Sequence, residues 1–335
     1  MKSDIQENVI LYDWLTVSSK DDDPQSWLPL LGLEDVSWDE MEYGHNGYRK
    51  GIYYRNISIY YDGNEGMGTC LNMSGQGCRV FESEGTGDFD GLFRIFQDNP
   101  QQFHMTRLDV AFDDHSGILD MEQLFLDTHD REYVSKFRKV TVQEEIVDGK
   151  KKSGKTIYFG RKSSEIMFRI YDKAFERGLP DSQHWVRVEM QLRDDRALAF
   201  VMEPEPIGVK FRGVLVNYVR FVDESDDSNR WRWPMKQYWE DLIEGIGRIR
   251  LYVKPGEEYN IIQLDNFVFS QAGNAIAVAL EIHGRQDFLD RIRSRSCEHA
   301  ISKEYCQLSM NHAPILSPAS PFLCDIDHGQ IQHFQ

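Results

Sequence analysis

The sequence predicts an α+β fold with a mainly antiparallel sheet, one face covered by helices, and a helical C-terminal extension. Three observations predict it. Segments of strand character alternate polar and apolar residues with a period of two, so each has one wet and one dry face. Helical segments are interleaved among them. From about Leu251 the alternation gives way to helical composition.

Taken in order, VILYDWLTVSS (9–19) is rich in β-branched and aromatic residues and reads as a strand. DDDPQSWLPLLGL suggests a turn and a short helix. Residues 52–62, IYYRNISIYYD, read as one tyrosine-rich strand, and Gly63 to Gly68 as a turn. CLNMSGQGCRVFE (70–82) reads as a strand broken by Gly75 and Gly77, where glycine marks a bulge or a close backbone approach. DFDGLFRIFQDN (88–99) is a short amphipathic helix, TRLDVAFDD (106–114) a strand, and 121–138 a helix. EEIVDGKKKSGKTIYFG reads as a hairpin or exposed loop, with Lys150, Lys151, Lys152 and Lys155 facing solvent. Strands containing FRIYDK and WVRVEMQLR follow, joined by FERGLPDSQHW. Residues 193–204 are helical and end at Pro204; 229–245, rich in tryptophan, serve core packing. Gly284 is a break in the C-terminal helical stretch, and from Asn311 three prolines and little periodicity predict a poorly ordered tail. The expected domains are 1–250, 251–310 and 311–335. No internal repeat is evident.

The 335 residues, 41% of them hydrophobic, suffice for a large core. No apolar run of 18 residues suggests a membrane span, and the N-terminus lacks a signal-peptide core, so the expectation is a cytoplasmic protein without membrane contact. The five cysteines form no CxxC pair and read as buried free thiols. Cys297, Cys306, His299 and His312 are spaced too irregularly for a standard zinc site. A net charge of −17 opposes nucleic-acid binding at long range. Yet Arg131 to Arg177 holds 13 Lys and Arg against 7 Asp and Glu, a local excess of positive charge. Such a run is either a solvated face or a DNA footprint.

The alternation collects reactive groups. In FRIYDK, Phe168 and Ile170 face one way and Arg169, Tyr171 and Lys173 the other. In WVRVEMQLR, Arg187, Glu189, Gln191 and Arg193 share the polar face; in TRLDVAFDD, Arg107, Asp109 and Asp113 do. Asp114 points the other way or caps the strand. A tyrosine between two cations can become a nucleophile, since positive charge favours the phenolate and neutralises a phosphate. Asp109 and Glu189, with Asp113, are candidate oxygen ligands for Mg²⁺ or Mn²⁺, which would polarise a phosphodiester. The competing readings stay open. A strand tyrosine is usually packing, Tyr158 is the nearest rival nucleophile, and Arg107–Asp109 and Arg187–Glu189 can be ordinary ion pairs. No HEXXH, His-x-His, G-x-S-x-G, P-loop or dinucleotide fingerprint occurs.

Five segments in order, YDWLTVS (12–18), MSGQGCRVFE (73–82), TRLDVAFDD (106–114), TIYFGRKSSEIMFRIYDKAFERG (156–178) and WVRVEMQLR (185–193), resemble the replication initiation factor family of rolling-circle initiators and tyrosine relaxases. The resemblance spans about residues 12–245. It implies a curved antiparallel sheet with helices behind it. It also implies a metal-dependent nick at origin DNA by Tyr171, leaving a 5′-phosphotyrosyl link and a 3′-hydroxyl primer that a host polymerase extends before the strand is rejoined. It places the acidic ligands at Asp109 and Glu189. Arg107, Arg161, Lys162, Arg169, Lys173 and Arg187 are the expected DNA and phosphate contacts. A host helicase and a homodimer are further expected partners. The start resembles phage initiators, and no N-terminal helix-turn-helix is evident. A conjugative relaxase with the same chemistry is the variant reading; a non-catalytic DNA-binding regulator with an idle tyrosine is the competing class.

Overall fold

A computed structural model of the chain describes residues 7–148, 153–180, 182–245, 251, 268–269 and 272–298. Contacts divide the chain into Met1–Val253 and Lys254–Gln335.

The first unit opens with the long strand β1 (Val9–Ser19). A 3-10 turn at Pro24–Trp27 leads into α1 (Leu28–Leu31). A meander follows: β2 (Asp39–Met41), β3 (Lys50–Tyr54), β4 (Ile57–Tyr61) and β5 (Thr69–Met73). Helices α2 (Gly75–Glu84) and α3 (Phe89–Asp98) complete this stretch. A second long strand, β6 (Phe103–Asp114), is followed by α4 (Met121–His129), β7 (Tyr133–Ser135), β8 (Val140–Glu145) and β9 (Gly154–Phe159). Then come β10 (Ile166–Asp172), α5 (Lys173–Glu176), β11 (Val186–Arg193) and α6 (Asp194–Met202). The unit closes with α7 (Ile207–Tyr218), β12 (Val219–Phe221) and α8 (Gln237–Ile243).

Ten strands form one antiparallel sheet in the order β2-β3-β4-β5-β1-β6-β11-β10-β9-β8, while β12 pairs with β7. The order reveals a duplication. Outward from the central β1/β6 pair, one side runs β5, β4, β3, β2 and the other β11, β10, β9, β8. Each half is a long strand, a helix, and four further strands of this sheet whose last returns beside the first, then a helix; the second half also carries β7 and the short α5. Because β1 and β6 pair antiparallel, the halves are related by an approximate twofold.

One sheet face is the core. Leu15, Val17, Leu108, Val110, Phe112, Ile170, Val188 and Met190 are buried there with Phe81 of α2, Phe93 of α3, Phe200 of α6 and Phe211 of α7. Each such side chain contributes about 1.5–3 kcal/mol by leaving water. The polar alternates face away, as the period-two pattern requires.

Several boundaries differ from expectation. Residues 52–62 are a hairpin, not one strand: Arg55 and Asn56 turn the chain at φ 40° and 72°, the left-handed pair of a tight two-residue turn. Residues 70–82 change from strand to helix at Ser74. Cys78 and Phe81, three apart, bury one face of α2, and a Cβ on Gly77 would lie 2.3 Å from the Asn56 carbonyl. The close approach is real, but it belongs to a helix. The 121–138 helix stops at His129; Arg131 turns at φ 61° and Tyr133–Ser135 joins β12. Lys155 is buried rather than solvent-facing, because Glu122 and Glu144 hold its ammonium at 2.6 and 3.4 Å. Lys150, Lys151 and Lys152 lie outside the described residues.

Cys70 and Cys78 are free and buried. Asp114 caps the end of β6, accepting from the backbone of Ser116, Gly117 and Leu119. In the second unit, α9 (Gly273–Glu298) breaks at Gly284, where φ is 74° and ψ 157°. The side chain of Cys297, with His299, Cys306, His312, Cys324 and the tail 311–335, lies outside the described residues. Among the described residues no helix is long and apolar enough to cross a membrane.

Candidate active site

Tyr171, next to last in β10, lies on the sheet face turned away from the core, opposite Arg187 of β11, while Arg169 lies opposite Glu189. The Tyr171 hydroxyl donates to Glu189 Oε2 at 3.2 Å. Arg169 Nη2 donates to the Tyr171 oxygen at 3.2 Å and to Glu189 Oε2 at 2.7 Å. Its guanidinium lies 4.2 Å from the tyrosine ring centroid, and the Lys173 ammonium lies 5.3 Å from it. Lys173 is the first residue of α5 rather than the end of the strand; Asp172 caps that helix, and Glu176 pairs with the lysine. Tyr171 is only 3% exposed. Burial pushes its phenol well up, Glu189 adds to the rise, and Arg169 and Arg187 oppose it.

The carboxylates are also buried. Asp109 is 2% exposed and accepts from Arg107 Nε at 2.9 Å. Burial raises its carboxyl to about 6; Arg107 pulls it down, and the charges of Glu189 and Asp13 push it up. Asp113 is held by Arg187 through two bonds of 2.6 and 2.7 Å and by Trp185 Nε1 at 2.7 Å. The structure thus brings Asp113 to Arg187 and pairs Glu189 with Arg169, while the Arg107–Asp109 ion pair is present.

Asp13 is the acidic residue that pattern reading missed. The β1/β6 register shifts between Tyr12 and Trp14, a bulge that turns both Asp13 and Trp14 away from the core. The available signal was the break in alternation, since Tyr12, Leu15 and Val17 are the buried positions. Asp13 accepts from Arg187 Nη1 at 2.9 Å, so one arginine bridges Asp13 and Asp113. Burial raises the Asp13 carboxyl, Arg187 opposes that, and Glu189 adds to it. A Cβ on Gly75 would lie 2.7 Å from Asp13 Oδ1, so glycine there lets the carboxylate reach the start of α2.

Asp13, Asp109 and Glu189 are three hard oxygen donors, close enough that Glu189 raises both Asp13 and Asp109, which is donor chemistry that suits a small divalent cation. As placed, each carboxylate holds an arginine, and no group of three His, Cys, Asp or Glu converges on a metal position among the described residues.

These residues line a cleft of 650 Å³. Its walls carry eight Lys and Arg against four Asp and Glu, a positive site in a chain of net charge −17. Arg79, Arg177 and Trp14 line it and were not anticipated. Arg161 and Lys162 are exposed in the β9–β10 turn; Lys162 reaches the cleft wall and Arg161 does not form part of it. Tyr158, directly opposite Arg169, lines the cleft too. Tyr171 opens on an adjoining 520 Å³ cavity that shares Tyr158, Arg169 and Arg177 with the cleft.

A basic cleft with buried carboxylates and a tyrosine, set on an antiparallel sheet, is suited to holding a nucleic-acid phosphodiester. Comparison with known proteins agrees. The family described as "Replication initiation factor" matches residues 103–293, and "Rolling Circle replication initiation protein N-terminal domain" matches residues 9–96. The two matches meet at the seam of the duplication. A Bacillus subtilis (strain 168) protein described as "Putative DNA relaxase NicK" is 31% identical over 265 residues, covering 75% of each chain. The structure of a rolling circle replication initiator protein from Geobacillus stearothermophilus superposes with a TM-score of 0.66 at 31% identity, covering 74% of this chain and 100% of that one. The chain belongs to the replication initiation factor family of rolling-circle initiators and relaxases.

Proposed function

We propose that the protein nicks and rejoins origin DNA through Tyr171 to start rolling-circle replication. The observation that carries this reading is the Tyr171 hydroxyl held between Arg169 and Glu189 beside a positive cleft. The phenolic oxygen attacks the phosphorus, and its proton passes to Glu189, which already accepts its hydrogen bond. The bond from phosphorus to the 3′ oxygen breaks; that oxygen leaves with the electron pair, takes a proton from solvent, and becomes the primer. The 5′ phosphate stays on Tyr171, and reversal by a 3′-hydroxyl rejoins the strand. Arg169 and Lys173 stabilise the charge that develops on the phosphate. Because Tyr171 is buried under the Arg169–Glu189 pair, substrate phosphate must draw Arg169 aside before attack. Asp109 and Glu189, with Asp13, would hold Mg²⁺ or Mn²⁺ once released from Arg107, Arg169 and Arg187. The cation would polarise the phosphate. Arg107, Arg187 and Lys162 line the same cleft, whereas Asp113 serves to hold Arg187.

Residues 1–253 would carry the chemistry in the cytoplasm, with host polymerase and helicase acting on the exposed strand and a homodimer as the assembly. The relative described as a DNA relaxase supports transfer of a nicked strand as the second reading. Incubation with supercoiled origin DNA and Mg²⁺ or Mn²⁺ tests both. A relaxed product with protein attached at Tyr171 is expected; nicking that survives in Tyr171→Phe overturns the assignment.

A further inference from the structure

We infer that the chemically silent half of the sheet face binds the unpaired bases of single-stranded DNA leading out of the cleft. The inference rests on the proposed nicking function. It begins with the strand register. On the face turned from the core, Tyr53 pairs with Ser58, Ser58 with Asn72, Asn72 with Thr16, and Thr16 with Arg107. One row of side chains therefore crosses β3, β4, β5 and β1 and enters the cleft at β6. At about 4.8 Å per strand it is roughly 19 Å long.

The character of the row changes at the seam. On the β6 side the face is charged: Arg107, Asp109, Arg187, Glu189. On the β1 side, between Asp13 at the seam and Asp39, which lies opposite Tyr53 at the outer edge, Trp14, Thr16, Asn72, Ser58, Tyr53 and Tyr60 are neutral, aromatic or small and polar. These aromatic residues do not serve the core. Tyr54 and Tyr61 pack against it, and their chain neighbours Tyr53 and Tyr60 point to the other face. Tyr60 is braced by the Tyr48 ring at 6.5 Å and by His45 at 5.5 Å.

Trp14 sits at the junction and lines the cleft. Its indole is pinned: Nε1 donates to Thr16 Oγ1 at 2.9 Å and to Asn72 Oδ1 at 3.1 Å, and Thr16 Oγ1 donates to the same Asn72 oxygen at 2.9 Å. The Arg107 guanidinium lies 4.2 Å from the indole ring centroid. The result is a rigid stack, aromatic ring and then planar cation, at the cleft mouth. A nucleobase is the next flat group such a stack accepts.

The occupant follows from continuity and charge. Phosphates go to the cationic half, and a strand leaving that half meets a neutral aromatic row. Single-stranded DNA presents backbone and bases separately, which suits this division. Duplex DNA keeps its base faces stacked inward and cannot use the row.

The test uses the full chain and labelled oligothymidylates of about 6 and about 18 nucleotides, the span of single-strand site sizes. Tyr53→Ala and Tyr60→Ala should each weaken binding of the longer probe by about fivefold to a hundredfold, the range for loss of one stacked base. Binding of the shorter probe and of duplex should not change. Tyr60→Phe keeps the ring and should bind as wild type, which separates stacking from misfolding. Equal binding of the longer probe by wild type and both alanine variants overturns the inference, as does an equal loss for duplex. So does a change confined to oligomeric state, which would make the face an interface between copies. Covalent capture at Tyr171 is scored separately. Stacking without any adduct means that nicking fails and the surface stands; adduct with alanine variants that bind normally means the reverse.

Discussion

Tyr171 and Glu189 sit on adjacent strands, and the phenol donates to the same carboxylate oxygen, Oε2, that Arg169 reaches at 2.7 Å. One oxygen thus restrains both the candidate nucleophile and the cation above it. Glu189→Gln removes a charge that raises the phenol. The tyrosine should then ionise at lower pH in an ultraviolet titration, yet adduct formation should fall by about 10²–10⁴-fold because the proton acceptor is gone. An unchanged rate would remove Glu189 from the proposed chemistry.

Asp109 gives a pH signature. Its carboxyl ionises at about 6 in the folded chain against 3.8 ordinarily, so the folded state binds the proton more tightly. Stability contributed by the protonated group is therefore lost as pH rises through this window, by on the order of 2–3 kcal/mol. Asp109→Asn should lack that step. Urea denaturation of both proteins across the window measures the difference, and identical profiles would contradict the raised carboxyl. Cleavage by the wild type should increase as pH rises through about 6.

Arg187 neutralises two carboxylates, the half-buried Asp13 and the buried Asp113. Arg187→Ala should destabilise the fold by about 3–5 kcal/mol, the cost of leaving a buried charge without its partner. Combining it with Asp113→Ala should recover part of that loss in a double-mutant cycle. Additive losses would show that the pair contributes no coupling.

Gly75→Val places carbon against the Asp13 carboxylate, where a Cβ has only 2.7 Å. Asp13 must move, so the variant should fold with a lower melting temperature and cleave at least about tenfold more slowly, the usual consequence of misplacing a group near the chemistry. Wild-type cleavage would show that Asp13 is a bystander.

Lys162 is exposed and borders the cleft. Lys162→Ala should leave stability unchanged and weaken single-stranded DNA evenly across sequences. The slope of log affinity against log salt should fall by about 0.7. A slope that does not move would place Lys162 off the DNA path.

Much of the site was legible because alternation is local. Once Arg169, Tyr171, Arg187 and Glu189 are read as strand residues, their common face follows, and antiparallel pairing brings them together. Partner choice was less legible. Glu189 takes Arg169 across the ladder rather than Arg187 beside it, and Asp113 takes Arg187, because register decides which side chains meet. Asp13 escaped notice because a bulge breaks the period that reveals faces. Residues 70–82 misled because Gly75 and Gly77, poor helix formers, serve close approaches that only the tertiary structure defines. The duplication left no trace in the residues, since one half of the face is densely charged and the other largely neutral and aromatic.

That duplication bears on how the chemistry is owned. Asp13 comes from the first repeat, while Asp109, Asp113, Tyr171 and Glu189 come from the second, and Arg187 ties the two across the seam. Neither repeat holds the whole carboxylate set. If the proposed site is right, a chain severed between α3 and β6 should yield two inert polypeptides, with nicking restored on their reunion.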